Sequence, residues 1–199
     1  MEPARRRIGL LGGSFDPPHL GHLTLAQDAY EGLRLDEVWF VPTFLSPHKD
    51  RSHVPPEQRV AMVTKMVAQD PRFRCCDIEV ASGKSQFSVH TVEQLQRLHP
   101  DADFYWLIGA DQLGALHLWK DVERLAALCQ IVVFRRPGFV QQIPEAVQHL
   151  SLQQVDMHEI LISSTEIRER IASGLPVYMF LHPDVNAHME HHELYQLGT

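Results

Sequence analysis

Six short apolar runs separated by stretches of helical periodicity narrow the possible folds of this chain more than any other feature. The runs are IGLLG from Ile8, EVWFVP from Glu37, FRCCDIEV from Phe73, FYWLIG from Phe104, QIVVFRR from Gln130 and LQQVDM from Leu152. Between them, apolar residues recur at helical spacing, as at Leu23, Ala26 and Tyr30, with Gln27 in the same register, or Val60, Val63 and Val67. Runs without polar alternation suit strands covered on both sides, and helices between such strands make crossover units. The expectation is an α/β fold, doubly wound, with a mostly parallel sheet and helices on both faces. With 199 residues, 44% of them hydrophobic, the chain can bury one sizeable core, so a single domain over 1–199 is expected, with a C-terminal helical part from about 163. Ligands of such sheets bind beyond the carboxyl ends of the strands, which is where motifs should be sought.

The first run leads into GGSFDPPHLGH, residues 12–22. Gly12 and Gly13 allow a ligand to approach the main chain, and a helix expected from about Leu20 presents unpaired N–H groups that attract anions. His19 and His22, three residues apart, share one face of that first turn, with the low surface of Gly21 between them. Such a pair can donate two hydrogen bonds to a phosphate. Taken singly, the glycines read as a turn and the histidines as surface imidazoles; together, after a strand and with Pro17 and Pro18 fixing the entry, they read as a site. The stretch is neither a Walker A loop, lacking Gly-Lys-Ser/Thr, nor a Gly-x-Gly-x-x-Gly fingerprint.

The last run is followed by ISSTEIRER, residues 162–170, where Ser163 and Glu166 have the spacing of a capping box. Ser164, Thr165 and the free N–H groups of this helix start would then sit near the strand ends, with the Arg168 fork available for phosphate. Gly174 and Pro176 close the helix. A capped surface helix with solvated arginines is the plain alternative, but two anion-ready helix starts in one α/β chain point to a polyphosphate held between them.

These segments, together with DEVWFVPTFLSPHK, FYWLIGADQL followed by Trp119, and VVFRRPG, resemble the bacterial nicotinate-nucleotide adenylyltransferase branch of the His-x-Gly-His nucleotidyltransferases, over almost the whole chain. The resemblance implies a Rossmann-like fold and adenylyl transfer from ATP to nicotinate mononucleotide. The products are nicotinate adenine dinucleotide and pyrophosphate, formed on the route to NAD by in-line attack at the α-phosphorus without a covalent enzyme intermediate. It implies that His19 and His22 hold the ATP phosphates, Lys49 contacts them, and Ser164, Thr165 and Arg168 bind the outgoing pyrophosphate. Gly13, Ser14 and Phe15 would line the meeting point of the nucleotides. Gly109 and Asp111 would bind ribose, Arg136 would lie near adenine, and Phe87, Ser88 and Trp119 would contact the mononucleotide, Trp119 by stacking on the pyridine ring. Mg²⁺ would be held mainly by substrate phosphates, since the chain offers no dedicated carboxylate cage.

The sequence departs from its relatives in places. A segment usually reading Ser-Tyr-Thr-x-Asp-Thr is Gln86-Phe87-Ser88-Val89-His90-Thr91, Lys120 follows Trp119 where tyrosine is frequent, and the ending reads Glu193-Leu194-Tyr195, which would alter only a C-terminal turn. His188, His191 and His192 read as a solvated helix face. A net charge of -7 argues against nucleic-acid and membrane-surface partners, leaving ATP and the mononucleotide, with a homo-oligomer open. Cys75, Cys76 and Cys129 are too few and poorly spaced for a disulfide framework, and no long apolar run follows the start, so a cytoplasmic protein is expected. Two rivals remain. One is a related transferase using pantetheine phosphate or an alcohol phosphate, to which GADQL and Trp119 are less suited; the other is a binding module without turnover.

Overall fold

The computed structural model describes residues 4–45, 53–135 and 143–196. Its strands are β1 (Arg6–Gly13), β2 (Glu37–Pro42), β3 (Phe73–Cys75), β4 (Ala102–Ile108), β5 (Gln130–Arg135) and β6 (Leu152–Asp156). They form one sheet in the order β3-β2-β1-β4-β5-β6, the doubly wound order, in which chain direction across the sheet reverses at β1. Pairings β1–β4, β4–β5 and β5–β6 are parallel, with Ile8 opposite Phe104 and Val133 opposite Gln154. Val38 to Val41 and Ile131 to Phe134 are buried at every position, which requires cover on both faces.

The helices are α1 (Leu20–Leu33), α2 (Pro56–Val67), α3 (Ile78–Ala81), α4 (Ser88–Leu98), α5 (Ala110–Leu113), α6 (Val122–Leu128), α7 (Ser164–Ala172) and α8 (Pro183–His191). Each of the six apolar runs overlaps a strand, with β1 and β4 beginning two residues before theirs. The third run is shortened, because the chain turns after Cys76, whose N–H bonds the Phe40 carbonyl, and Ile78 opens α3. No helix among the described residues is long and apolar enough to cross a membrane.

The chain divides into two compact units, one made of Met1–Gly12, Leu25–Trp39 and Gln86–Glu159, the other of Gly13–Thr24, Phe40–Ser85 and Ile160–Thr199. In the first, the buried Asp28 of α1 accepts from the His158 main-chain N–H at 2.7 Å and contacts His158 Nδ1 at 2.6 Å, fixing the segment that leaves β6.

In the second unit, α2 buries Arg59, Met62, Val63, Met66 and Val67. The apolar pattern put Val60 on that face; the register is instead led by Arg59, a charge whose partners are main-chain carbonyls. His188 of α8 is also buried, with Nε2 2.8 Å from Gln58 Oε1, whereas His191 and His192 are exposed. A solvated face therefore describes two of these histidines, and the third joins α8 to α2.

Candidate functional site

Gly13 ends β1 and leads into a tight loop. A side chain at Gly13 would meet the Phe15 ring, with ring carbons at 3.0 to 3.3 Å from a Cβ, so the ring folds back over the glycine. Phe15 is 1% exposed and has φ 49°, a left-handed conformation costing about 1–2 kcal/mol for a residue with a Cβ. Its ring packs edge-on against His22 at 4.9 Å between centroids and tilted on Phe40 at 5.7 Å, so burial of the aromatic body offsets the backbone cost. The Asp16–Pro17 peptide is cis.

His19 immediately precedes α1 and His22 lies in its first turn. Their rings stack with centroids 3.7 Å apart. The His19 main-chain N–H donates to His22 Nδ1 at 3.1 Å, so that nitrogen is unprotonated and the proton of the neutral ring is on Nε2. A Cβ at Gly21 would stand 3.0 Å from His19 Nδ1, so the position just before His22 suits a residue without one. Burial lowers the His19 pKa to about 4, and burial followed by repulsion from His19 holds His22 well below the ordinary 6.5. Both imidazoles are neutral hydrogen-bonding groups at neutral pH.

This produces a pH dependence of stability. Because the folded-state pKa values are depressed, the unfolded chain binds protons first. Stability is complete above about pH 6.5 and falls as pH drops toward 4, with His19 alone contributing on the order of 3 kcal/mol. Urea midpoints measured between neutral pH and about 4.5 should fall, and fall less in His19→Asn; a midpoint insensitive to that substitution would contradict the assignment.

The ISSTEIR segment comes to the same loop. Ser163 caps α7 by accepting from the Glu166 N–H at 3.1 Å. Ser164 Oγ donates to the Pro17 carbonyl at 2.8 Å, and Arg168 Nη1 donates to the Asp16 carbonyl at 2.6 Å, while Nη2 donates to Thr165 Oγ1 at 3.1 Å. Two motifs nearly 150 residues apart are thus tied through the main chain of Asp16 and Pro17. Arg168 retains further N–H donors, and Thr165 keeps its own hydroxyl proton. The Ser164 hydroxyl, having donated to Pro17, offers a ligand only acceptor lone pairs.

Asp16, Arg59 and Tyr195 complete the assembly, and sequence reasoning gave none of them a role. Asp16 is 3% exposed, and accepts from the Tyr195 hydroxyl and from the His53 N–H, each at 2.8 Å. The phenol pKa is driven far upward by burial and the Asp16 charge, so Tyr195 stays protonated and donates. The Glu193-Leu194-Tyr195 ending does make a turn, with both Glu193 and Tyr195 at positive φ, and that turn delivers the hydroxyl. Arg59 is fully buried and donates to the carbonyls of Ser14 at 2.6 Å, Thr43 at 2.6 Å and Phe44 at 2.9 Å. The available signal for Asp16 was its position inside the motif. For Arg59 it was the i, i+3, i+4, i+7 spacing with Met62, Val63 and Met66.

The remaining expected residues belong to the other unit. Gly109 precedes α5 with extended backbone, and Asp111 in the first turn is exposed. Trp119 is half-buried at the end of a 3₁₀ turn, and exposed Lys120 lies 3.7 Å from Asp121. Phe87 is 48% exposed just before α4, its ring 6.0 Å from that of His90, and Ser88 is the first helical residue. Lys49 and Arg136 lie outside the described residues.

Among the described residues no group of three or more His, Cys, Asp and Glu is placed to hold a metal ion. Both oxygens of Asp16 already accept hydrogen bonds. Imidazole, hydroxyl and guanidinium donors beside a helix start suit an anion, and a cation that arrives on that anion's own oxygens.

The profile of the cytidylyltransferase-like family matches residues 10–170. A protein of Shouchella clausii (strain KSM-K16) named "probable nicotinate-nucleotide adenylyltransferase" is 41% identical over 191 residues, spanning 96% of this chain and 97% of its own length. One of the same name from Opitutus terrae is 38% identical, spanning 96% of this chain and 98% of its own. Among solved structures, Plasmodium falciparum nicotinic acid mononucleotide adenylyltransferase complexed with NaAD superposes with a TM-score of 0.77 at 20% identity, covering 96% of this chain and 97% of that one. At that identity the likeness speaks for the fold.

Proposed function

This chain belongs to the cytidylyltransferase-like family, among the nicotinate-nucleotide adenylyltransferases, and from that premise we propose that it transfers the adenylyl group of ATP to nicotinate mononucleotide, releasing pyrophosphate. The observation that carries the assignment of roles is the joining of the two helix starts, through Arg168 to the Asp16 carbonyl and Ser164 to the Pro17 carbonyl. It gives one loop both imidazoles and a guanidinium, the donor set a polyphosphate needs.

In this reading the mononucleotide phosphate attacks the α-phosphorus in line, and the protein orients and stabilises rather than reacting covalently. His22, neutral with its proton on Nε2, donates to a phosphate oxygen, and His19 stacked on it lines the same surface. Arg168 and Thr165 take charge on the pyrophosphate side, with Ser164 holding the α7 start in place, and Lys49 adds a point charge to the phosphates. Gly13, Ser14 and Phe15 border the reacting phosphates. Gly109 and Asp111 receive ribose, Arg136 lies near adenine, and Phe87, Ser88 and Trp119 receive the mononucleotide. Mg²⁺, held mainly by substrate oxygens, supplies charge neutralisation when bound. The whole chain is one nucleotidyltransferase domain in this reading, acting in the cytoplasm.

The test is pyrophosphate release from ATP and Mg²⁺ with nicotinate mononucleotide or nicotinamide mononucleotide offered separately at equal concentration. Strong preference for the nicotinate form is expected. Comparable rates would show that Phe87, Ser88 and His90 build a pocket indifferent to the acid, and no release with either would return the weight to other phosphate acceptors or to binding without turnover.

A further inference from the structure

Arg59 is set apart by where its donors go. A buried arginine is ordinarily matched with a carboxylate. This one is fully buried and reaches three main-chain carbonyls, on segments that leave two different strands: Ser14 after β1, and Thr43 and Phe44 after β2. The Thr43 N–H also bonds the Gly13 carbonyl at 3.0 Å, so the two exits are joined twice. Nε has no partner among the described residues, so the hydrogen bonds of the cation are confined to the fork.

The carbonyl of Ser14 and the N–H of Phe15 belong to one planar trans peptide and point in opposite directions. Gripping that carbonyl therefore turns the Phe15 N–H away from Arg59. It also fixes the plane from which Phe15 starts, a residue held at φ 49°. The Phe15 N–H has no acceptor among the described residues, although its ring is buried. A donor without an acceptor among the described residues, in the loop that carries His19 and His22, is available to an anion.

We propose that Arg59 is a positioning residue for the reaction: by clamping the Ser14, Thr43 and Phe44 carbonyls it holds the Ser14–Phe15 peptide with its N–H presented to the phosphates of ATP. The inference rests on the adenylyl-transfer reading. Arg59 touches no substrate itself; it acts through the Phe15 amide. A lysine in its place keeps the charge but cannot fork over three carbonyls, so charge and geometry are separable.

The experiment compares Arg59→Lys with Val63→Ala, a substitution on the same helix at a residue fully buried but without polar contacts to the loop. Arg59→Lys should lower kcat/KM for ATP about 100-fold, the loss a misplacement of roughly 1 Å can cause. Val63→Ala, at a similar or larger loss of Tm, should leave kcat/KM within about threefold of the parent. Equal kinetics for the two variants at equal Tm loss would reduce Arg59 to a structural residue and overturn the proposal. The unaltered protein provides a second measurement: its Phe15 amide resonance should shift on titration with ATP, and a resonance that stays fixed while ATP binds overturns the proposal without any variant. Failure of the functional reading shows elsewhere, as absence of pyrophosphate release by the unaltered protein.

Discussion

His22→Ala lowers kcat about 10²–10³-fold, the cost of removing one positioned donor to developing negative charge, while the fold survives. The geometry gives the reason. His22 Nδ1 is occupied by the His19 main-chain N–H, leaving Nε2 as the donor, and the edge of Phe15 fixes the ring plane. A neutral imidazole held this way needs no reorganisation when phosphate charge moves, and burial ensures that it is neutral at the working pH. His19→Ala should cost a similar factor, because His19 is the other face of the 3.7 Å stack. The double variant should lose less than the product of the two factors, since each ring positions the other. Steady-state pyrophosphate release by the three variants measures this directly. A His22→Ala rate within threefold of the parent would remove the imidazole pair from the mechanism, whatever the acceptor.

Much of this arrangement was legible beforehand, and the pattern of successes has a physical explanation. Strands and helices follow apolar periodicity, so the alternation predicted the doubly wound sheet and both helix starts, including the Ser163 cap and the closure at Gly174, which has φ 68°. His19 and His22 could be paired because they lie within one turn. Residues whose role depends on distant main chain left no such trace. Arg59 was not singled out, because its partners are carbonyls, and carbonyls have no sequence signature. Tyr195 looked like part of a terminal turn, because its partner lies 179 residues away. The histidines of α8 erred in the other direction: composition suggested a solvated face, and one contact, between His188 and Gln58, decides otherwise for one of them.

Asp16→Ala should destabilise the protein by about 3 kcal/mol. Two donors lose their acceptor at once, the hydroxyl of half-buried Tyr195 and the N–H of exposed His53, and a hydrogen bond to a charged group is worth about 1.5–3 kcal/mol. The carboxylate charge also favours the protonated state of buried Arg59, so its removal leaves that cation less compensated. Tyr195→Phe removes only one of these interactions and should cost about 1 kcal/mol, and the pair should be non-additive, because in Asp16→Ala the phenol has already lost its partner. The Arg168 bond is made to the Asp16 main-chain carbonyl and survives in both variants, so the tie between the two motifs persists. Catalysis in Asp16→Ala should therefore fall less than in His22→Ala when measured well below the melting temperature. Urea midpoints for the two single variants and the double variant decide the matter: additive losses, or an Asp16→Ala midpoint equal to the parent's, would mean that Asp16 does not organise this loop, whereas a large non-additive loss with kcat largely retained would identify the acid as the internal support on which the anion-binding surface is built.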